Sequence, residues 1–288
     1  MGMVLEKKLG ILHPGKMGTA VAKTARNSGC QVYWVSEGRG PESRKRAEEA
    51  GLHDAGSVAK LCEQAAVIVS VCPPEFAEQV ADSVLAAGFS GLYCDANAIS
   101  PQRVKQMARK MEDAGIAFVD GGIIGTPPTE RNQTWLNLSG ARAGELAELF
   151  AAGPLETEIV GSQVGQASAL KMCYGGWTKA TRALAITILA AANEMGVLED
   201  LKRHWARSGP SYETVERQLQ VAVPKAWRFG AEMREIAATM EAAGLPGEFH
   251  QGAQKLWDRL AGFKNAEEVD VGDVLAEAVK EKETGVRR

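Results

Sequence analysis

Leu9-Gly10-Ile11-Leu12-His13-Pro14-Gly15-Lys16-Met17-Gly18 runs from a short apolar strand into a turn that carries two glycines three residues apart. Between a strand and a helix, such a turn brings free backbone N–H groups and the positive end of a helix dipole to a pyrophosphate. The usual spelling is G-x-G-x-x-G, and here the first glycine is His13. Histidine is among the few side chains found with some frequency at positive φ, so the turn can survive the replacement. Gly15 lets backbone approach the phosphates and Gly18 lets the next helix pack on the strand, so a Cβ is expected to be excluded at both. Pro14 fixes its own φ and stiffens the bend. His13, Pro14, Gly15, Lys16, Met17 and Gly18 are therefore expected to hold a dinucleotide.

Downstream, the same alternation repeats. Thr19 to Ser28 reads as a helix and Gln31 to Val35 as a second strand. Further β-rich runs occupy 67–71, 92–95 and 116–119, separated by helical stretches at 75–87 and 101–114. Two more short runs, 134–138 and 158–160, complete the series. Strands alternating with helices imply a parallel sheet covered on both faces. From Ser162 onward strand signals stop and alanine-rich helical segments take over, with a charged last stretch, 277–288, expected to fray. The expected architecture is α/β: a Rossmann-type doubly wound NAD(P)-binding domain over 1–161, then an all-α domain over 162–288.

Composition narrows the function. Of 288 residues 45% are apolar, enough for a sizeable core, and the net charge is −3. Basic clusters are interleaved with acids, which disfavours nucleic acid as a partner. The longest apolar helical stretch, 183–192, is too short for a bilayer and residues 1–8 lack a signal-peptide core, so a cytoplasmic protein without membrane contact is expected. The five cysteines form no C-x-x-C pair, and no second ligand lies at a useful spacing from His13. Neither a disulfide framework nor a metal site is expected.

The end of the second strand decides between NAD and NADP, because a carboxylate there reads a ribose hydroxyl and arginine reads a 2′-phosphate. The chain has Ser36-Glu37-Gly38-Arg39-Gly40, with Arg44 and Arg46 close behind. Ser36, Arg39 and Arg44 can bind a phosphate, which favours NADP; Glu37 is the competing signal for NAD. Other candidates lie at carboxyl ends of strands, where such a sheet presents ligands. Cys72-Pro73-Pro74 can line the nucleoside path, Asn97 can bond the nicotinamide ribose, and the glycine-rich segment Asp120 to Pro128 can offer N–H groups to substrate. In the segment Gly165 to Lys179, helical spacing puts Lys171, Tyr174, Gly175 and Thr178 on one stripe. A partly buried lysine there suits a general acid/base for hydride transfer to or from a carbonyl. Gly175-Gly176 inside a helix marks a place where substrate or another backbone comes close.

With those residues in hand, the chain resembles the β-hydroxyacid dehydrogenases related to 6-phosphogluconate dehydrogenase. The resemblance covers nearly its full length. The family's G-x-G-x-M-G turn matches His13 to Gly18, its D-x-[SN]-T-x-x-P segment matches Asp95 to Pro101, and its substrate loop matches Asp120 to Thr126. Its catalytic block matches Gly165 to Gly175, which makes Lys171 the counterpart of the family's catalytic lysine. The chain departs from the family at Ala167, at Tyr174 and Gly175 in place of paired asparagines, and at Ile124 in place of a serine. The spellings H-P-G-x-M-G, D-A-N-A-I-S-P and K-M-x-Y resemble a subgroup whose helical C-terminal domain has no known role. The resemblance implies an NADP-dependent dehydrogenase of a small hydroxyl or carbonyl substrate, a cleft between the domains, and a homodimer through the helical domain. Ile124, Gly125, Thr126, Gly175 and Thr178 would face that substrate. Imine reductases share the architecture, which leaves C=N reduction with Tyr174 as proton donor as an alternative. A non-catalytic NADP sensor is another, motivated by the missing glycine and asparagines.

Overall fold

Successive apolar residues of the early strands face opposite sides of the sheet, and in the computed structural model each side is covered by helices. The structure describes residues 6–280. The elements are β1 (Lys8–Leu12), α1 (Lys16–Asn27), β2 (Gln31–Trp34), α2 (Pro41–Glu49), β3 (His53–Asp54), α3 (Val58–Gln64), β4 (Val67–Ser70), α4 (Ala77–Ala86), β5 (Leu92–Asp95) and α5 (Pro101–Asp113). They continue with β6 (Ala117–Ile124), β7 (Thr134–Ser139), α6 (Ala143–Ala147), β8 (Leu155–Gly161), α7 (Gln166–Glu194), α8 (Leu198–Ser208), α9 (Tyr212–Ala222), α10 (Ala226–Ala242), α11 (Glu248–Arg259) and α12 (Val271–Val279).

The eight strands form one sheet in the order β3-β2-β1-β4-β5-β6-β7-β8. All neighbours are parallel except β6 and β7, which pair antiparallel. This is the α/β, doubly wound fold expected from the sequence. Leu9, Ile11, Val67, Val69, Leu92, Cys94 and Val119 pack toward α1 and α6 in one core. Their strand neighbours Ile68, Tyr93 and Phe118 pack toward α3, α4 and α5 in the other. The two faces come from the period-two alternation of side chains along a strand.

The chain divides into two compact units, Met1–Met172 and Cys173–Arg288, with the division falling inside α7. The second unit is helical. Its buried residues include Ile186, Leu219, Met233, Ile236, Trp257 and Val274, and Phe229 meets Trp257 edge-on at 5.1 Å. Lys179 and Glu232 form a nearly buried ion pair at 2.8 Å. Among the described residues no helix is long and apolar enough to cross a membrane. Positions 281–288 of the stretch expected to fray lie outside the described residues.

Candidate functional site

β1 delivers the chain to the turn at its carboxyl end, and α1 begins directly behind it. His13 takes the left-handed conformation, φ 79°, and its carbonyl accepts a hydrogen bond from the Gly15 N–H at 2.9 Å. A Cβ on Gly18 would sit 2.2 Å from that same carbonyl, so only glycine fits. Gly15 is different: a Cβ there would meet no protein atom within 4 Å. It faces open space at the N-terminus of α1, and nothing in the protein itself requires glycine at that position. The Pro14 carbonyl accepts from the Thr19 hydroxyl and from Arg46 Nε, both at 3.2 Å. Met17 packs against the core and Lys16 is exposed. The brace from Arg46 spans 32 residues and no local motif announces it.

From β1 the chain winds outward to β2 and β3, then returns to β4 on the other side of β1. Doubly wound sheets bind ligands at such a switch point. A cavity of about 460 Å³ lies there, lined by Ile11, Leu12, His13, Val35, Glu37, Arg39, Val58, Cys72, Pro73, Phe76, Gln79, Val80 and Ser83. Arg39 Nη2 contacts His13 Nε2. Burial, and then the Arg39 charge, push the His13 pKa down to about 4, so the imidazole is neutral. Ser36 and Arg44 do not line the cavity. The Ser36 carbonyl instead accepts from the Arg39 N–H at 3.1 Å and from Arg44 Nη2 at 3.0 Å, which ties the loop to α2.

On the far side of the cavity, Pro73 is exposed at its rim, while Pro74 is buried and opens a short 3₁₀ turn. The Cys72 thiol is pushed up to about 12, first by burial and then by the charge of Asp95. The Cys72 N–H donates to Asn97 Oδ1 at 2.5 Å, and Asn97 Nδ2 donates to Ser70 Oγ at 3.1 Å and to Asp95 Oδ2 at 2.6 Å. Both amide donors of the buried Asn97 thus go to protein, whereas the sequence suggested that they face a ribose. Asp95 is fully buried, and this outweighs the hydrogen bonds from Asn97 to raise its pKa to about 7.

Lys171 sits on the first turns of α7. The start of that helix is held by Asp120 of β6, whose Oδ2 accepts from Gly165 N–H at 2.9 Å, Ser168 N–H at 3.0 Å and Ser139 Oγ at 3.0 Å. Its Oδ1 accepts from Ser168 Oγ at 2.6 Å, and Ser139 Oγ in turn accepts from Ala167 N–H at 3.0 Å. A buried carboxylate thereby satisfies N–H groups that a helix start leaves unpaired and lies at the favourable end of its dipole. Lys171 Nζ donates to the Ile123 carbonyl at 2.6 Å. The helix lies directly on the strand, because a Cβ on Gly122 would fall 2.7 Å from the Ala167 carbonyl and 3.1 Å from Lys171 Cβ.

The segment expected to be a substrate-facing loop therefore begins as strand: β6 runs through Gly121, Gly122, Ile123 and Ile124, paired with β7. Its N–H groups on that side belong to the sheet. Only beyond Ile124, which is half-buried, does the chain turn, at Gly125 (φ 128°) and the exposed Thr126. The Thr126 carbonyl accepts from the Thr134 hydroxyl.

Further along α7, in the second unit, the proposed stripe splits. Tyr174 is exposed, whereas Gly175 is buried, and Cβ atoms on Gly175 and Gly176 would meet Ile236, Lys179 and His250 at 3.2–3.3 Å. The close approach marked by these glycines is made by side chains. Thr178 Oγ1 donates to the Tyr174 carbonyl at 2.9 Å. Tyr174, Trp177, Leu184, Ile188 and Met195 are all exposed and recur at heptad spacing, with Trp177 at 74%. Among the described residues no cluster of three or more His, Cys, Asp or Glu side chains can hold a metal ion.

The described fold and turn belong to the class of NAD(P)-binding α/β proteins. Residues 8–151 match the model of the NAD binding domain of 6-phosphogluconate dehydrogenase, and the chain belongs to that family of hydroxyacid-dehydrogenase-like oxidoreductases. Residues 192–260 match a domain of unknown function (DUF1932). A mitochondrial 3-hydroxyisobutyrate dehydrogenase of Mus musculus is 25% identical over 238 residues, 78% of this chain and 65% of that protein. The conserved protein MTH1747, of unknown function and described as structurally similar to 3-hydroxyacid dehydrogenases, superposes with a TM-score of 0.70 at 26% identity, over 95% of this chain and all (100%) of the other. The fold is also that of an imine reductase from Myxococcus stipitatus. Its variant with NAD+ gives a TM-score of 0.58 at 18% identity, over 95% of this chain and 99% of the other. With NADP+ the values are 0.54 and 19%, over 95% and 100%.

Proposed function

We propose that this oxidoreductase is an NADP-dependent dehydrogenase or reductase of a small hydroxyl or carbonyl compound, with Lys171 as general acid/base. The observation that carries this reading is the anchoring of Lys171. Asp120 fixes the start of its helix, Gly122 sets its distance from the strand, and its ammonium group rests on the Ile123 carbonyl at the carboxyl end of β6. An ammonium so placed can give a proton to a carbonyl oxygen as it becomes an alcohol, or as the amine take one from the hydroxyl in reverse. The nicotinamide supplies the hydride. Gly15 and the first turn of α1 offer room and a positive dipole end for the pyrophosphate. Arg39 at the cavity would take the 2′-phosphate, with Pro73 along the nucleoside; Ile124, Gly125 and Thr126 would meet the substrate.

The catalytic residue is tested by following NADPH oxidation over a panel of aldehydes, ketones, semialdehydes and cyclic imines. Lys171→Ala is expected to abolish carbonyl reduction and leave the Kd for NADPH within about twofold; an unchanged rate would remove Lys171 from the mechanism. Tyr174, one turn further on and exposed, favours a second reading: imine turnover that survives Lys171→Ala but not Tyr174→Phe would establish C=N reduction instead. Tight NADPH binding without turnover on any class would mark a sensor. The exposed heptad face of α7 supports a homodimer, because apolar residues at that spacing pair with a like helix. A monomer by analytical ultracentrifugation would refute it.

A further inference from the structure

His13 is the one departure in the opening turn, and its side chain reaches to Arg39 beyond the second strand. With φ at 79°, the imidazole lies in the wall of the cavity, and its Nε2 meets Arg39, which is 26 residues on. A guanidinium only donates, so Nε2 must accept, and this requires a neutral ring with its proton on Nδ1. The structure meets that condition: burial and the adjacent Arg39 charge hold the ring unprotonated. Arg39 is the side chain that meets the ring, while the Leu12 backbone lies close enough to favour a ring proton, an effect that burial and the Arg39 charge outweigh. Other groups near the guanidinium do not replace it. Arg44 is turned to the Ser36 carbonyl, and Glu37, on the same loop, is exposed. A guanidinium has five N–H donors in a fixed fork, and His13 takes one of them.

We infer that His13 is a positioning residue for cofactor selection, holding Arg39 at the cavity wall with its remaining donors directed to a ribose 2′-phosphate. A glycine at this position keeps the turn and loses that hold. The inference rests on the proposal that the chain uses NADP, and it assigns the unusual first residue of the turn to the adenosine end of the site. Held in place, the arginine loses less side-chain freedom when it binds the phosphate.

The test compares wild type, His13→Gly, Arg39→Ala and the double variant. Dissociation constants for NADPH, NADH, 2′,5′-ADP and 5′-AMP are measured by calorimetry, which needs no substrate. His13→Gly restores the residue most at ease at positive φ and is expected to fold; His13→Asn, also tolerant of that conformation but too short to reach Arg39, serves as its duplicate. The expected result is a loss of about tenfold for NADPH and 2′,5′-ADP in His13→Gly, with NADH and 5′-AMP within about twofold. The double variant should bind no more weakly than Arg39→Ala, since coupled residues are not additive. An unchanged NADPH affinity in His13→Gly beside a large loss in Arg39→Ala would overturn the inference and leave NADP use standing. Equal losses for NADPH and NADH in His13→Gly would reduce His13 to a turn residue and also overturn it. If Arg39→Ala itself weakens both nucleotides alike, NADP use is the reading that fails.

Discussion

Replacing Asp120 should loosen the start of α7 and, with it, Lys171. The carboxylate accepts from two backbone N–H groups, Gly165 and Ser168, and from two hydroxyls, Ser139 and Ser168, all of them buried. In Asp120→Ala each backbone N–H loses its acceptor, at about 1–3 kcal/mol apiece when no water replaces it. The hydroxyls can rotate and recover part of their loss. Two donors at the middle of that range give about 4 kcal/mol. Asp120→Asn keeps one carbonyl oxygen for the N–H groups but surrenders the charge at the helix end, and about 2 kcal/mol is expected. Urea unfolding measures the global change, and hydrogen–deuterium exchange of peptides covering 165–172 localises it, because local opening is read there directly. The pattern required is a larger loss of protection in Ala than in Asn, concentrated in that segment. An Ala variant within about 1 kcal/mol of wild type, or exchange unchanged over 165–172, would refute the assignment of Asp120 as the helix anchor.

Other consequences separate folding from binding. Gly18→Ala drives a Cβ into the His13 carbonyl at 2.2 Å and should destabilise by about 2–3 kcal/mol, whereas Gly15→Ala meets open space and should leave Tm unchanged while weakening nucleotide binding at least about tenfold. Thermal melts beside calorimetric titrations decide both, and a destabilised Gly15→Ala would contradict the geometry. Asp95, with its pKa raised to about 7, keeps a proton in the folded state that the unfolded chain releases near its ordinary value of 3.8. Its contribution to stability therefore falls as pH rises from about 4 to 7, by up to about 4 kcal/mol. Asp95→Asn removes this term, so its Tm should gain on wild type across that window; parallel profiles would show that Asp95 ionises normally.

The parallel sheet was legible because β1, β2, β4 and β5 are short, largely apolar runs separated by helical stretches, and the observed spans differ by a residue or so at the ends. The length of β6 was not. Gly121 and Gly122 read as chain breakers in an isolated sequence, yet here they extend the strand, and at Gly122 the absence of a side chain admits α7. The anchor of Lys171 was hidden for a related reason. Ser139, Gly165 and Ser168 lie 19, 45 and 48 residues from Asp120, and no periodicity links them. The arginines at the end of β2 were visible as charges, but their separate fates were not: Arg39 meets His13, Arg44 a loop carbonyl, and Arg46 the turn at Pro14.

The contact between Gly122 and α7 has a consequence for how this chain can change over time. Where a functional side chain stands on packed neighbours, each volume change in the core shifts it slightly. Here the root of Lys171 stands on the main chain of β6, with Ala167 and Lys171 Cβ pressed against a residue that has no side chain to vary. Core residues such as Val119 or Leu136 can therefore drift in size without re-aiming the lysine, while the single position 122 admits almost no alternative. Tolerance is spread across the core and intolerance is concentrated in one glycine, so the surrounding site can be remodelled for new ligands while its ammonium group keeps its place.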